Sequence, residues 1–216
     1  MQLGDPTLSK INTGAWQEQS LYTMGRAVYS YDRKYLFTGT VRRDGFSGFG
    51  TETKIGVFPS VALGWVASEE RFMKDNVAVL NLLKFRGSYG QTGRRAGGRY
   101  DTHAIAQTSP DIIFGDGGAV TYAQWISTMA NNDLGWETTT GINLGVDFAM
   151  FNSRLTGNIE YYNNETEDIL YDIKIPNLTG FSKIKTNIGK FANHGLEFTL
   201  NGAVIQKSDF SWNASV

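Results

Sequence analysis

The amino-acid sequence predicts an all-β protein: an antiparallel transmembrane β-barrel wall of about eight strands. Three observations predict it: apolar and polar residues alternate with a period of two, the chain is rich in glycine and aromatics, and short connectors alternate with long ones. The 216 residues include 25 Gly, 13 Phe, 10 Tyr and 5 Trp beside 4 Pro. Aromatic and Thr residues fit a pleated, half-buried surface better than a helix. No run of about 18 apolar residues offers a transmembrane helix. A barrel strand needs only about 10 alternating residues.

In chain order, the first strand is read over residues 17–31, with an ambiguous parity because Arg26 shares a side with Met24 and Val28. Phe37 and Val41 then oppose Thr38, Thr40 and Arg42, and Val61, Leu63 and Trp65 oppose Ser60, Ala62 and Gly64. Leu83, Phe85 and Tyr89 oppose Lys84, Arg86 and Ser88. The clearest segment is 136–148, where Trp136, Ile142, Leu144, Val146 and Phe148 take one parity and Glu137, Thr139, Asn143 and Asp147 the other. After residues 149–153, Leu155, Gly157, Ile159 and Tyr161 alternate with Arg154, Thr156, Asn158 and Glu160, which completes an antiparallel hairpin. Leu196, Phe198 and Leu200 against Glu197, Thr199 and Asn201, then Phe210, Trp212, Ala214 and Val216, close the series.

The connectors 32–34, 149–153 and 206–209 are short, whereas 45–53, 93–135 and 165–187 are long and 68–79 is intermediate. Outer-membrane barrels show short turns on one side and long external loops on the other. Tyr29, Tyr31, Tyr35 and Phe37 flank the first short turn, and Phe148 and Phe151 the second. Such rings suit a headgroup-level belt, although a soluble β protein would also use them in its core. A secreted β-sandwich that binds polysaccharide is the alternative architecture; it would bury its apolar faces between two sheets.

A formal net charge of −1 gives no basis for nucleic-acid binding, and the lack of Cys removes disulfides, thiolate metal sites and Cys nucleophiles. The Gly-rich stretches 45–50 and 115–118 do not open a helix after a parallel strand, as phosphate cradles do. His103 and His194 stand far apart without spaced partners, so no metal site is expected. Glu165, Glu167 and Asp168 read as solvated loop acids, and neither a catalytic group nor a cofactor site is expected. Within 93–135, Tyr100, Phe114, Tyr122 and Trp125 are candidate substrate-contacting residues, since rings stack on ligand faces while neighbouring polar groups orient them. A loop packed on itself or on a partner would carry the same residues.

Several segments resemble the SusC/RagA-type TonB-dependent outer-membrane transporters of Bacteroidetes. They are Gly25-Arg26-Ala27-Val28-Tyr29-Ser30-Tyr31 with Lys34-Tyr35-Leu36; Arg43-Asp44-Gly45; Phe58-Pro59-Ser60-Val61-Ala62-Leu63-Gly64-Trp65 with Ser68-Glu69-Glu70 and Phe72; and Gly87-Ser88-Tyr89-Gly90-Gln91-Thr92-Gly93. Leu134-Gly135-Trp136-Glu137, Glu160-Tyr161-Tyr162-Asn163, Thr179-Gly180-Phe181, Asn187-Ile188-Gly189 and Asn193-His194-Gly195-Leu196-Glu197 follow in the family's order. Phe46-Ser47-Gly48-Phe49 and Arg94-Arg95-Ala96-Gly97-Gly98 depart from the family pattern. The resemblance implies that this wall is incomplete, residues 1–216 being part of a larger barrel of about 22 strands, its plug domain and signal peptide lying outside this sequence. It further implies a non-enzymatic importer of oligosaccharides or peptides in the bacterial outer membrane. The implied partners are a SusD-like surface lipoprotein, the TonB complex acting through the plug, and the lipid bilayer.

Overall fold

The computed structural model describes residues 14–74, 77, 79–95, 97–113 and 120–216, the side chains of 109–113 and 120–123 excepted. The strands are β1 (Ser20–Tyr31), β2 (Tyr35–Phe46), β3 (Ile55–Val66), β4 (Leu80–Arg94), β5 (Ala106–Ile113), β6 (Val120–Ile126), β7 (Glu137–Met150), β8 (Leu155–Lys174), β9 (Lys183–Gln206) and β10 (Ser211–Ser215). Eight of them form one antiparallel sheet in the order β1-β2-β3-β4-β7-β8-β9-β10, which is open at β1 and β10; β5 and β6 form a separate hairpin. The expected eight-strand wall is therefore present.

Cross-strand partners share a face, so the register sorts the side chains of the whole wall. Tyr29 pairs with Phe37 and Phe37 with Leu63. Phe85 pairs with Val146, Val146 with Ile159 and Ile159 with Phe198. These residues form one apolar band across the sheet. Nothing among the described residues covers it: Leu144 is 53%, Leu63 60% and Leu196 76% exposed. A sandwich would bury this face under a second sheet; here it is left for lipid. The parity of β1 is settled too, because Met24, Arg26 and Val28 pair with Arg42, Thr40 and Thr38 on the polar face.

On that polar face Arg86 donates to Asp147 and Asn143, each at 3.2 Å, and also to Glu160, which accepts a further bond from Asn143. The guanidinium joins β4 to β7 and β8 where the ladder alone would leave three half-buried polar groups unpaired.

The connectors 32–34, 67–79, 151–154 and 207–210 lie at one end of the wall and those at 47–54, 95–136 and 175–182 at the other, as strand alternation requires. Asp32 and Arg33 both adopt positive φ, the conformation of a hairpin turn whose twist matches the strands. Stacked pairs Tyr31–Tyr35 (6.4 Å) and Trp65–Phe85 (5.6 Å) ring this short-turn end. The intermediate connector is tied to the ring by Glu70, which accepts from the Tyr35 hydroxyl (2.7 Å), the Trp65 indole (3.3 Å) and Lys34 (3.3 Å).

Those bonds, the tyrosine's foremost, hold the Glu70 carboxyl below the usual glutamate range despite some desolvation. A depressed carboxylate stabilises the fold above its unfolded pKa of about 4.3, and that contribution is lost as pH falls through the lower folded value. Acid melts of the full-length barrel should therefore steepen below about pH 4, and Glu70→Gln should flatten that acid limb while lowering the neutral-pH melting temperature. An unchanged acid limb in Glu70→Gln would show that the cap carries no linkage.

Three sequence expectations need correction. Residues 165–187 read as a long connector in the sequence, yet most belong to β8 and β9, which run 20 and 24 residues. About 10 residues span the bilayer, so this hairpin continues well beyond it, and a strand with both faces wet shows no apolar alternation. Residues 93–135 contain the β5–β6 hairpin rather than loop alone. Trp136 precedes β7 and does not share the lipid face with Leu144; its ring packs edge-on against Phe49 (5.3 Å) and Phe58 (5.8 Å).

Candidate functional site

Above the wall, connector 47–54, the end of connector 95–136 and the β8–β9 hairpin meet in a packed crown. Phe46 ends β2 with the parity of the polar face; with Phe49 and Leu134 it is at most 3% exposed, and Trp136 and Leu170 pack against these three. Phe46 and Phe49 meet edge to face at 5.1 Å, a favoured aromatic geometry. Thr53 Oγ1 donates to the Leu134 carbonyl (2.6 Å), the Gly135 N–H donates to Asn187 Oδ1 (3.0 Å), and Asn131 donates to the Lys185 carbonyl (2.8 Å). Side chain to backbone bonds thus stitch connector 47–54 to connector 95–136, and connector 95–136 to the β8–β9 hairpin.

Charges complete the stitching. Asp44 is fully buried and is neutralised by Arg42 Nε at 2.8 and 2.7 Å, as a carboxylate removed from water must be. Glu18 receives Arg99 (2.8 Å) and Arg95 (3.5 Å), while the Arg99 guanidinium lies 3.7 Å from the Trp16 ring centre. Glu137, 6% exposed, accepts from the Leu170 N–H at 3.0 Å.

Of the candidate contact residues, Tyr100 is the one whose surroundings are best defined. Its hydroxyl accepts from the Gln17 N–H at 3.1 Å, and its half-exposed ring borders a cavity of about 240 Å³ between connector 95–136 and the β8–β9 hairpin. Two ion pairs line that cavity, Lys185–Asp101 (2.7 Å) and Lys183–Asp172 (2.6 Å), with the hydroxyls of Ser127 and Thr128. Burial pushes the Asp101 carboxyl up, but Lys185 and the Gly98 N–H outweigh it and hold the group below the usual aspartate range. Trp125 lies on β6 opposite Gln107, exposed and outside this cavity. Phe114 and the side chain of Tyr122 lie outside the described residues.

His103 Nδ1 bonds Thr102 Oγ1 at 2.9 Å, whereas His194 stands on β9 opposite Asn163. Glu165 and Glu167 share Lys190, at 2.6 and 2.8 Å. Among the described residues no three His, Cys, Asp or Glu side chains are grouped to hold a metal. The stretch 45–50 folds into the crown, and 115–118 falls outside the described residues. The crown core of Phe46, Phe49 and Leu134 was not legible in the sequence as a unit. The available signal was three apolar residues inside Gly-rich connectors with no period of their own.

An open antiparallel wall with a lipid-facing band, short turns at one end and a packed crown at the other defines a segment of an outer-membrane β-barrel. The chain belongs to the family described as TonB dependent receptor-like, beta-barrel, which it matches over residues 4–216. It is 41% identical over 197 residues to the TonB-dependent receptor SusC of Bacteroides thetaiotaomicron, covering 88% of this chain and 19% of that protein. It is 40% identical over 196 residues to the TonB-dependent receptor P39 of Formosa agariphila, covering 91% of this chain and 18% of that one. The solved structure of the RagAB peptide transporter superimposes with a TM-score of 0.81 at 29% identity, over 92% of this chain and 21% of that chain. The chain thus spans about a fifth of the length of these relatives. Its place is the bacterial outer membrane.

Proposed function

We propose that this chain forms wall and external loops of an importer that carries oligosaccharides or peptides across the outer membrane. A SusD-like surface lipoprotein would cap the crown, and the TonB complex would drive transport through a plug domain lying outside this sequence. The observation that carries the reading is the crown itself: a packed cluster at the long-loop end, with Tyr100 bordering a cavity lined by two ion pairs. Likeness to a peptide transporter and to SusC supports import as the class of activity.

The test is uptake by cells carrying the full-length transporter, its deletion, or Tyr100→Ala, supplied with a labelled peptide pool or a labelled oligosaccharide pool. Deletion should abolish uptake of one pool. Tyr100→Ala should lower it about ten-fold at unchanged outer-membrane abundance, the loss of one aromatic contact worth about 1.4 kcal/mol. Uptake of both pools unaffected by deletion would overturn the reading.

A further inference from the structure

The outward surface of β1, β2 and β3 carries a feature that cargo import does not use. Arg43 pairs with Thr23 and Val57, which places it on the same side as Val41, Gly39, Phe37 and Tyr35, the lipid-facing side. Tyr35 belongs to the aromatic ring at the short-turn end. Arg43 stands eight residues further along β2, about 26 Å along the strand at 3.3 Å per residue. For a strand tilted about 40° this is about 20 Å across the membrane, close to the far edge of an apolar band about 25 Å tall. The guanidinium therefore sits at the external interface, where an outward charge costs little, and not at mid-depth.

Arg43 is exposed, and its side chain makes no ion pair or hydrogen bond among the described residues. Other charges toward the long-loop end differ: Arg42 beside it is spent on Asp44, and on β8 the carboxylates Glu165 and Glu167 are answered by Lys190 of β9. Beneath Arg43, toward mid-membrane, the surface is hollow. Gly25, Ala27, Gly39, Phe37, Val61 and Tyr89, with Arg26, Thr40 and Ser60 among the remaining lining residues, border a shallow groove of about 650 Å³. A methyl group placed on Gly25 meets nothing within 4 Å among the described residues.

We propose that this surface binds a phosphate-bearing lipid of the outer leaflet, its phosphate on Arg43 and an acyl chain in the groove below. The charge complements an anion, the groove complements a hydrocarbon chain, and their vertical order is that of a lipid lying in the external leaflet. A free phosphate would use the first and leave the second empty. The groove is continuous with the lipid-facing band, so the occupant is drawn from the bilayer.

The experiment is native mass spectrometry of the purified full-length transporter in detergent, titrated with dioleoyl phosphatidic acid or with dioleoylglycerol, which has the same chains without the phosphate. Wild type should retain the phosphatidic acid in preference. Arg43→Gln should weaken that retention about ten-fold and leave dioleoylglycerol unaffected. Gly25→Leu, which fills the open groove, should weaken both, and Arg43→Lys should restore part of the preference. Equal retention of phosphatidic acid by wild type and Arg43→Gln would overturn the proposal. So would full displacement by millimolar inorganic phosphate with Gly25→Leu behaving as wild type, which would mark a simple anion site. Heat-modifiable mobility on gels confirms that each variant is folded, and the Arg43→Gln comparison stands even if Gly25→Leu does not fold.

Discussion

Leu144→Arg in the full-length barrel is expected to cost about 2–4 kcal/mol, the penalty for a cation near the middle of a lipid-facing strand. Leu144 lies between Gly87 on β4 and Tyr161 on β8 in the centre of the apolar band and is 53% exposed, with no protein atom positioned to receive a charge. Its immediate neighbour Asn143 makes a poor control, because it accepts from Arg86 at 3.2 Å and donates to Glu160; a second guanidinium there would disturb that network. Thr199→Arg is the better comparison, since Thr199 faces the polar side opposite Asn158 and is exposed. It should change stability by no more than about 0.5 kcal/mol. Urea unfolding of barrels refolded into lipid, followed by tryptophan fluorescence, separates the two. Equal tolerance would place Leu144 away from lipid, and an inverted result would mean that the register has slipped by one residue, because a slip moves every side chain to the other face.

What the sequence disclosed and what it withheld divide along the membrane boundary. Within the bilayer one face meets hydrocarbon and the other polar groups, so Ile142, Leu144 and Val146 alternate with Asn143, Gly145 and Asp147 and the strand is plain. Beyond the bilayer no such contrast acts, and the outer halves of β8 and β9 pass for loop. The β5–β6 hairpin is hidden for the same reason: Ala106–Ile113 mixes Gln, Thr, Ser, Pro and Asp without a period. Trp136 misled by parity alone, because periodicity extrapolated past the strand's start at Glu137 says nothing about a ring that turns toward Phe49. Turn geometry was equally hidden. Phe151, Asn152 and Ser153 take positive φ in succession, a conformation few would assign to phenylalanine; closure of the β7–β8 hairpin and bonds from the Phe151 N–H to the Val79 carbonyl (2.9 Å) and from the Ser153 N–H to Asn81 Oδ1 (3.1 Å) hold it there.

The candidate contact residues show the same limit. Tyr100, Phe114, Tyr122 and Trp125 were grouped by composition, but composition cannot tell which rings share a surface. The structure gives Tyr100 a cavity and two neighbouring ion pairs, and it puts Trp125 on a separate hairpin. The ion pairs join residues 84 and 11 positions apart, one of them between a connector and a strand. No local pattern could announce the longer contact.

Leu134→Ala is expected to open the crown while leaving the wall intact. Leu134 is 1% exposed against Phe46 and Phe49, and its truncation should cost about 2–5 kcal/mol, the usual range for a buried leucine that leaves a cavity. That loss falls on connectors whose order depends on the cluster, whereas the wall strands keep their ladder bonds and their lipid contact; the response should be local unfolding and not loss of the barrel. Gly50→Ala reaches the same outcome by a different route. A methyl group there would collide with the Asn132 carbonyl oxygen, so the two connectors must part even though no apolar burial is removed. Hydrogen exchange of the full-length protein should show residues 47–54 and 131–136 losing protection together in both variants, with 139–149 unchanged, while Leu134→Met, which nearly conserves volume, should stay close to wild type. Protection in 47–54 that survives Leu134→Ala would mean that connector 47–54 is held by the wall and not by the crown, and that the packed cluster is not the unit that orders the external surface.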